Sequence, residues 1–155
     1  LAYGSKMPLL GICSLDVLAA AIRSEKLVCA LLDARKKEVY HCFYRCSEAM
    51  EPRRCGELTV SRPEALAEMI EEPVVMVGDG LAAYGTLLSD KLGPLLETAH
   101  PCLNYPAADL LGVLADREYR NGNFLKPEEA VPVYVRASDA ELSLKRPGKQ
   151  TGSKE

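Results

Sequence analysis

The sequence predicts an α/β fold in which a mixed sheet carries helices on both faces. Three observations predict it. Val28-Cys-Ala-Leu-Leu-Asp33 is an apolar run ending in an aspartate. After a charged turn the chain re-enters alternating residues at Glu38-Val-Tyr40-His-Cys-Phe-Tyr44. That pattern is an antiparallel hairpin, with strands near 28–33 and 38–46. Val74-Val-Met-Val77 is wholly apolar, as in a strand covered on both faces. Helical periodicities fall before the hairpin, between it and that strand, and after it.

In chain order, Leu1-Ala-Tyr-Gly4 reads as the last turn of a helix with a glycine at its C-terminal cap. The chain opens without methionine, so we expect the C-terminal part of a longer protein. Residues 7–12 read as a short strand. Ser14 reads as the N-cap of a helix with Leu15, Leu18, Ala19 and Ile22 on one face. The hairpin follows, then a third strand at 56–60. Ser61-Arg-Pro-Glu64 has the spacing of a capping box with Pro63 in the first turn, opening a helix that buries Leu66, Met69 and Ile70. Past the strand at 74–77, Gly78-Asp79-Gly80 leads into a helix with Leu81, Tyr84, Leu87 and Leu88 inward, ended by Gly93-Pro94. A short strand is expected within 98–103. Pro106 opens a last helix with Leu110, Leu111 and Leu114 inward and Gly122 past its end. Residues 131–136 read as an extended strand that Pro132 restricts to an edge. We therefore expect one folded lobe over 1–136 and a polar tail over 137–155.

Composition bounds the function. At 155 residues, 48% hydrophobic and 26% charged, the chain is sized for one globular domain with its own core. No apolar run reaches the roughly 20 residues of a membrane span, and no secretory leader is readable, so the expected compartment is the cytoplasm. Cys29 lies inside an apolar strand and Cys13 follows a strand-like run, so the six cysteines are expected to be reduced thiols. Cys42 and Cys46 share a strand face but lie about 13 Å apart, too far for one zinc. The charge is uneven. Lys36, Lys37, Arg45, Arg53 and Arg54, with Tyr40, Phe43 and Tyr44 interleaved, form a basic, aromatic stretch. It reads either as a solvated face or as an edge that meets an anionic partner such as RNA.

Two places carry candidate chemistry. An aspartate at a hairpin mouth, such as Asp33, commonly faces a phosphate or a metal. Here Ala34 and Arg35 follow where close phosphate wrapping calls for glycine. Arg35 is itself suited to a phosphate, and Asp33 is equally suited to capping the turn or pairing with Arg35 or Lys36. Gly78, Asp79 and Gly80 end a buried strand, where open α/β sheets bind ligands; the same residues also suit a tight turn with Asp79 as N-cap. Only His41 and His100 are present, and neither belongs to a metallopeptidase spacing. Ser14 and Cys13 have no base nearby in sequence. No catalytic residue and no metal ligand is therefore assigned.

The order of elements resembles the second half of an RNase H-like, actin-like ATPase. Gly11-Ile-Cys-Ser-Leu15, Leu32-Asp-Ala-Arg35, Glu38-Val-Tyr40, Val77-Gly-Asp-Gly80 and Pro132-Val-Tyr-Val-Arg136 fall in the order and spacing of the TsaB (YeaZ) family, long labelled glycoprotease-like. The resemblance runs from Leu1 to about Lys149. It implies the C-terminal lobe of a non-catalytic subunit in making threonylcarbamoyladenosine at tRNA position 37. It implies as partners a TsaD-like paralogue that performs the transfer, a TsaE-like ATPase, a second copy of the chain, and tRNA reached through the complex. It implies no cofactor within this lobe, with ATP or ADP at a complex interface. Two other readings stay open: a nucleotide-binding lobe using Asp33, Arg35, Gly78, Asp79 and Gly80, and a glycoprotease-like metallopeptidase.

Overall fold

The computed structural model describes residues 2–5, 7–46, 51–126, 128 and 130. Its elements are α1 (Ala2–Ser5), α2 (Ser14–Ala20), β1 (Leu27–Arg35), β2 (Glu38–Cys46), β3 (Pro52–Arg54), β4 (Thr59–Ser61), α3 (Pro63–Glu68), β5 (Val74–Val77), α4 (Gly80–Leu92), β6 (Leu96–Thr98) and α5 (Ala108–Arg120). Short 3-10 turns lie at Gly93–Leu95 and Pro101–Leu103.

The described strands form one mixed sheet ordered β3-β2-β1-β5-β6, with β4 also on β2. β1 and β2 are antiparallel, while β1, β5 and β6 run parallel. β2 divides its outer edge: β3 pairs with Tyr44–Cys46 and β4 with Val39–His41.

The two-residue period of the strands sorts the core into two faces. On one, α2 lays Leu15, Leu18 and Ala19 over Val28, Ala30, Cys42, Tyr44, Val75 and Val77. On the other, α3 and α4 lay Leu66, Ala67, Leu88 and Leu92 over Cys29, Leu31, Val39, Val74 and Met76. Helices thus cover both faces, as the sequence predicts. α5 adds a layer outside α2, where Leu114 and Leu110 meet Val17 and Ala20. This double contact explains why five of the seven residues of α2 are buried.

A carboxylate ties this face together. Asp16, in the first turn of α2, accepts Nε (2.8 Å) and a terminal nitrogen (2.7 Å) of Arg54 and the hydroxyl of the fully buried Tyr44 (2.9 Å). The fork is bidentate, and it stands at a helix N-terminus, where negative charge is favoured.

Several local expectations are corrected. Gly4 lies inside α1 rather than past its end. Residues 7–12 form no strand; Leu9 makes only an isolated bridge with Leu125. Ser14 is the first helical residue, and Cys13 is the N-cap, its carbonyl accepting Asp16 N–H and Val17 N–H. The strand expected at 56–60 is the shorter β4, and the unexpected β3 precedes it. The capping box is absent: Arg62 is the N-cap of α3, and the Ser61 hydroxyl bonds His41 instead. Met69 is 54% exposed and Ala67 takes its place inward; Leu111, at 42%, also faces out. The strand expected within 98–103 lies earlier, as β6 at Leu96–Thr98, and Pro101–Leu103 is a 3-10 turn. The strand expected at 131–136 and the tail at 137–155 lie outside the described residues.

The hairpin carries the main backbone irregularity. Asp33 pairs with Val39 but Arg35 with Glu38, a bulge of one residue. Arg35, Lys36 and Lys37 all have positive φ (61°, 52° and 64°). A tight two-residue hairpin demands this at both central positions, normally met by Asn-Gly. Non-glycine residues there cost about 1 kcal/mol each. Replacing Lys36 by Asn together with Lys37 by Gly is expected to stabilise the fold by about 1–2 kcal/mol, read as a higher urea midpoint at unchanged m-value.

Candidate functional site

β1 runs past the end of β5. In the parallel register Ala30 meets Val77, so Leu31 to Arg35 extend beyond it. Gly78, Asp79 and Gly80 then fold against this overhang and start α4. Gly78 has φ 130°, and a methyl placed on it would stand 1.9 Å from the Leu31 carbonyl oxygen. One on Gly80 would stand 3.1 Å from Leu31 Cδ1. Glycine is thus required at Gly78 by backbone contact and by a left-handed φ, whereas at Gly80 the crowding comes from the Leu31 side chain.

The polar groups of the crease hold one another. Asp79 Oδ1 accepts the Asp33 N–H (3.0 Å), a donor that β5 ends too early to satisfy. Asp79 is the N-cap residue of α4, as the sequence predicts, but its side chain makes no cap bond to the helix. Asn104 Oδ1 accepts the Gly78 N–H (3.0 Å). Asp33 accepts the Arg35 N–H (2.8 Å) with one oxygen and its guanidinium (3.1 Å) with the other. The phenol of Tyr84, on the first turns of α4, is pushed up by desolvation and then by the Asp33 carboxylate it faces.

The fold therefore brings Asp33, Arg35, Gly78, Asp79 and Gly80 together, and adds Asn104 and Tyr84. Asn104 sits far off in sequence, in the loop between β6 and α5, and only its place between Pro101 and Pro106 marks it as a turn residue. Tyr84 is masked by its position on the apolar face of α4. Arg35 adopts the left-handed backbone without being glycine, and Ala34 is buried at 8% exposure. The Arg35 side chain is 86% exposed, and Lys36 and Lys37 beside it are exposed as well. Asp33 is 18% exposed at its side chain, so the pair is a half-screened contact of modest strength.

The histidines lie elsewhere. His41 is 2% exposed on β2; its Nε2 is 2.9 Å from the Ser61 hydroxyl, and its ring meets Phe43 edge to face. His100 contacts Cys102. Among the described residues no three His, Cys, Asp or Glu side chains gather where they would hold a metal ion. No described helix is long and apolar enough to cross a membrane. The basic stretch is divided: Arg45 pairs with Glu72 and Arg54 with Asp16, while Tyr44 is core.

A family model described as TsaD, tRNA N6-adenosine threonylcarbamoyltransferase, matches residues 1–144. Among solved structures, a Pseudomonas aeruginosa protein described as similar to the peptidase YeaZ superposes with a TM-score of 0.66 at 26% identity, over 87% of this chain and 62% of that one. A structure of YeaZ from the same organism gives the same TM-score and identity over 86% of this chain and 62% of that one. The chain thus spans less than two thirds of the length of these structures. No curated protein matches it.

Burial lowers the pKa of His41. The unfolded chain then takes up a proton that the folded chain resists. The stability this supports is complete above the ordinary imidazole value of about 6.5 and is lost as pH falls below it, with a slope of at most about 1.4 kcal/mol per pH unit. Urea denaturation from pH 7.5 to 5 is expected to show this decline, and His41→Gln to flatten it.

Proposed function

The chain belongs to the TsaD family of tRNA N6-adenosine threonylcarbamoyltransferases, and from that footing we propose that it is a supporting lobe for threonylcarbamoyladenosine synthesis rather than a site of transfer. The family and the YeaZ-like fold relate the chain to this tRNA modification. The finer reading rests on the crease. Its single supporting observation is that the Asp33 carboxylate is taken at both oxygens by Arg35. A carboxylate so engaged has its charge matched by its own hairpin, leaving little to position a metal-bound water or a reacting group. Asp79 and Asn104 are spent likewise on backbone amides of Asp33 and Gly78.

In this reading the lobe completes an actin-like pair and steadies a TsaD-like partner that performs the transfer, with a TsaE-like ATPase joining them. ATP or ADP then binds at an interface of the assembly. Arg35 keeps its contact with Asp33 through one guanidinium nitrogen, and the rest of its solvated fork is suited to reach a phosphate there.

The test combines two measurements on the whole chain. It is expected to co-purify with a TsaD-like protein, and to release no phosphate from ATP when alone. Asp33→Asn is expected to leave co-purification intact. Turnover by the chain alone that Asp33→Asn abolishes would overturn the supporting role; failure to co-purify would remove the partner.

A further inference from the structure

We propose that Cys102 and His100 form a reactive thiol–imidazole pair, and that Cys102 undergoes exchange with small-molecule disulfides to give a reversible mixed disulfide. The pair is outside the crease and independent of its reading. His100 Nδ1 stands 3.0 Å from Cys102 Sγ, and both residues are exposed. The same nitrogen accepts the Cys102 backbone N–H at 3.3 Å. A backbone amide can only donate, so Nδ1 acts as an acceptor in this geometry, its lone pair shared between that amide and the thiol. Pro101, between the two, restricts the backbone that holds them at this separation.

The other thiols lack this arrangement. Cys29 and Cys42 are buried, and burial raises both. Cys46 is pushed up to about 11 by burial and donates to the Ala19 carbonyl. Cys55 is exposed, yet its thiol faces the Arg53 carbonyl, which cannot take a proton. Of the two exposed thiols, Cys102 alone has a base within reach.

The chemistry balances without an outside oxidant. The Cys102 S–H bond breaks and its proton passes to His100 Nδ1. The thiolate attacks one sulfur of the disulfide, a new S–S bond forms, and the original one breaks. The departing thiolate recovers the proton from the imidazolium. The product is one mixed disulfide and one free thiol, and added thiol reverses it. Leu103 and Asn104 follow directly, so the adduct stands beside the segment that holds Gly78.

The experiment treats the full chain with glutathione disulfide at pH 7 and follows each cysteine by peptide mass mapping. Cys102 is expected to react roughly three- to tenfold faster than Cys55, since only Cys102 has an imidazole nitrogen beside its sulfur to take the proton. His100→Gln is expected to bring Cys102 down to the Cys55 rate while leaving Cys55 unchanged and the buried Cys29 and Cys42 unreactive, which reports that the fold is intact. Cys102→Ser removes the fast adduct. Equal rates in the unmodified chain, or a Cys102 rate indifferent to His100→Gln, would overturn the proposal.

Discussion

The contact between Gly78 and the Leu31 carbonyl governs the open end of this sheet. A parallel sheet must send its chain out of the strand and back over a face. Here it leaves across a neighbouring strand that has not ended. With no room for a methyl and φ at 130°, glycine is the residue that permits the crossing. Once it is made, Asp79 comes within reach of the Asp33 amide, Asn104 caps the Gly78 amide, and α4 starts with Leu88 and Leu92 aimed at the core. The crease is thus a by-product of packing, and its polar groups are present first to satisfy backbone donors that the sheet leaves over.

The same logic accounts for the hairpin. The bulge at Ala34 and Arg35 rotates the end of β1 so that Ala34 is buried and Arg35 turns back on Asp33. Three successive left-handed residues are the cost of that geometry, borne by two lysines and an arginine. Strain of this kind persists where surrounding structure over-determines it, and here nine-residue strands on both sides do so. A lobe built to wrap phosphate with its backbone would relieve the strain with glycine. This one keeps long cationic side chains at that end, consistent with the supporting role proposed for it.

Much of this was readable from residues alone, for physical reasons. The apolar run 28–32 and the alternation after Glu38 specify both strands because a half-buried hairpin must repeat every two residues. Val74–Val77 betrays its double coverage by lacking any polar residue. The helix faces of α2 and α4 follow from spacing. What escaped depends on partners distant in sequence. Ser61 has the spacing of a cap but lies in β4, opposite β2, where the buried His41 imidazole claims its hydroxyl. β3 is three residues long and too short to show a period. Met69 falls where α3 has already ended. The five site residues were identifiable singly. Their mutual engagement was not, because Asp33 and Asp79 meet only through the parallel pairing of β1 with β5.

That pairing also sets an order of assembly. The β1–β2 hairpin closes through two residues and can zip from its turn, so its loop entropy is small. Leu27 finds Val74 only after β2, β3, β4 and α3 have been threaded between them, and closing that long loop is the slower event. Gly78 therefore settles against Leu31 late, on a hairpin already formed. A bulky side chain there would leave the early collapse untouched and act on the return journey, hastening the escape of β5 from a sheet whose first half remains zipped.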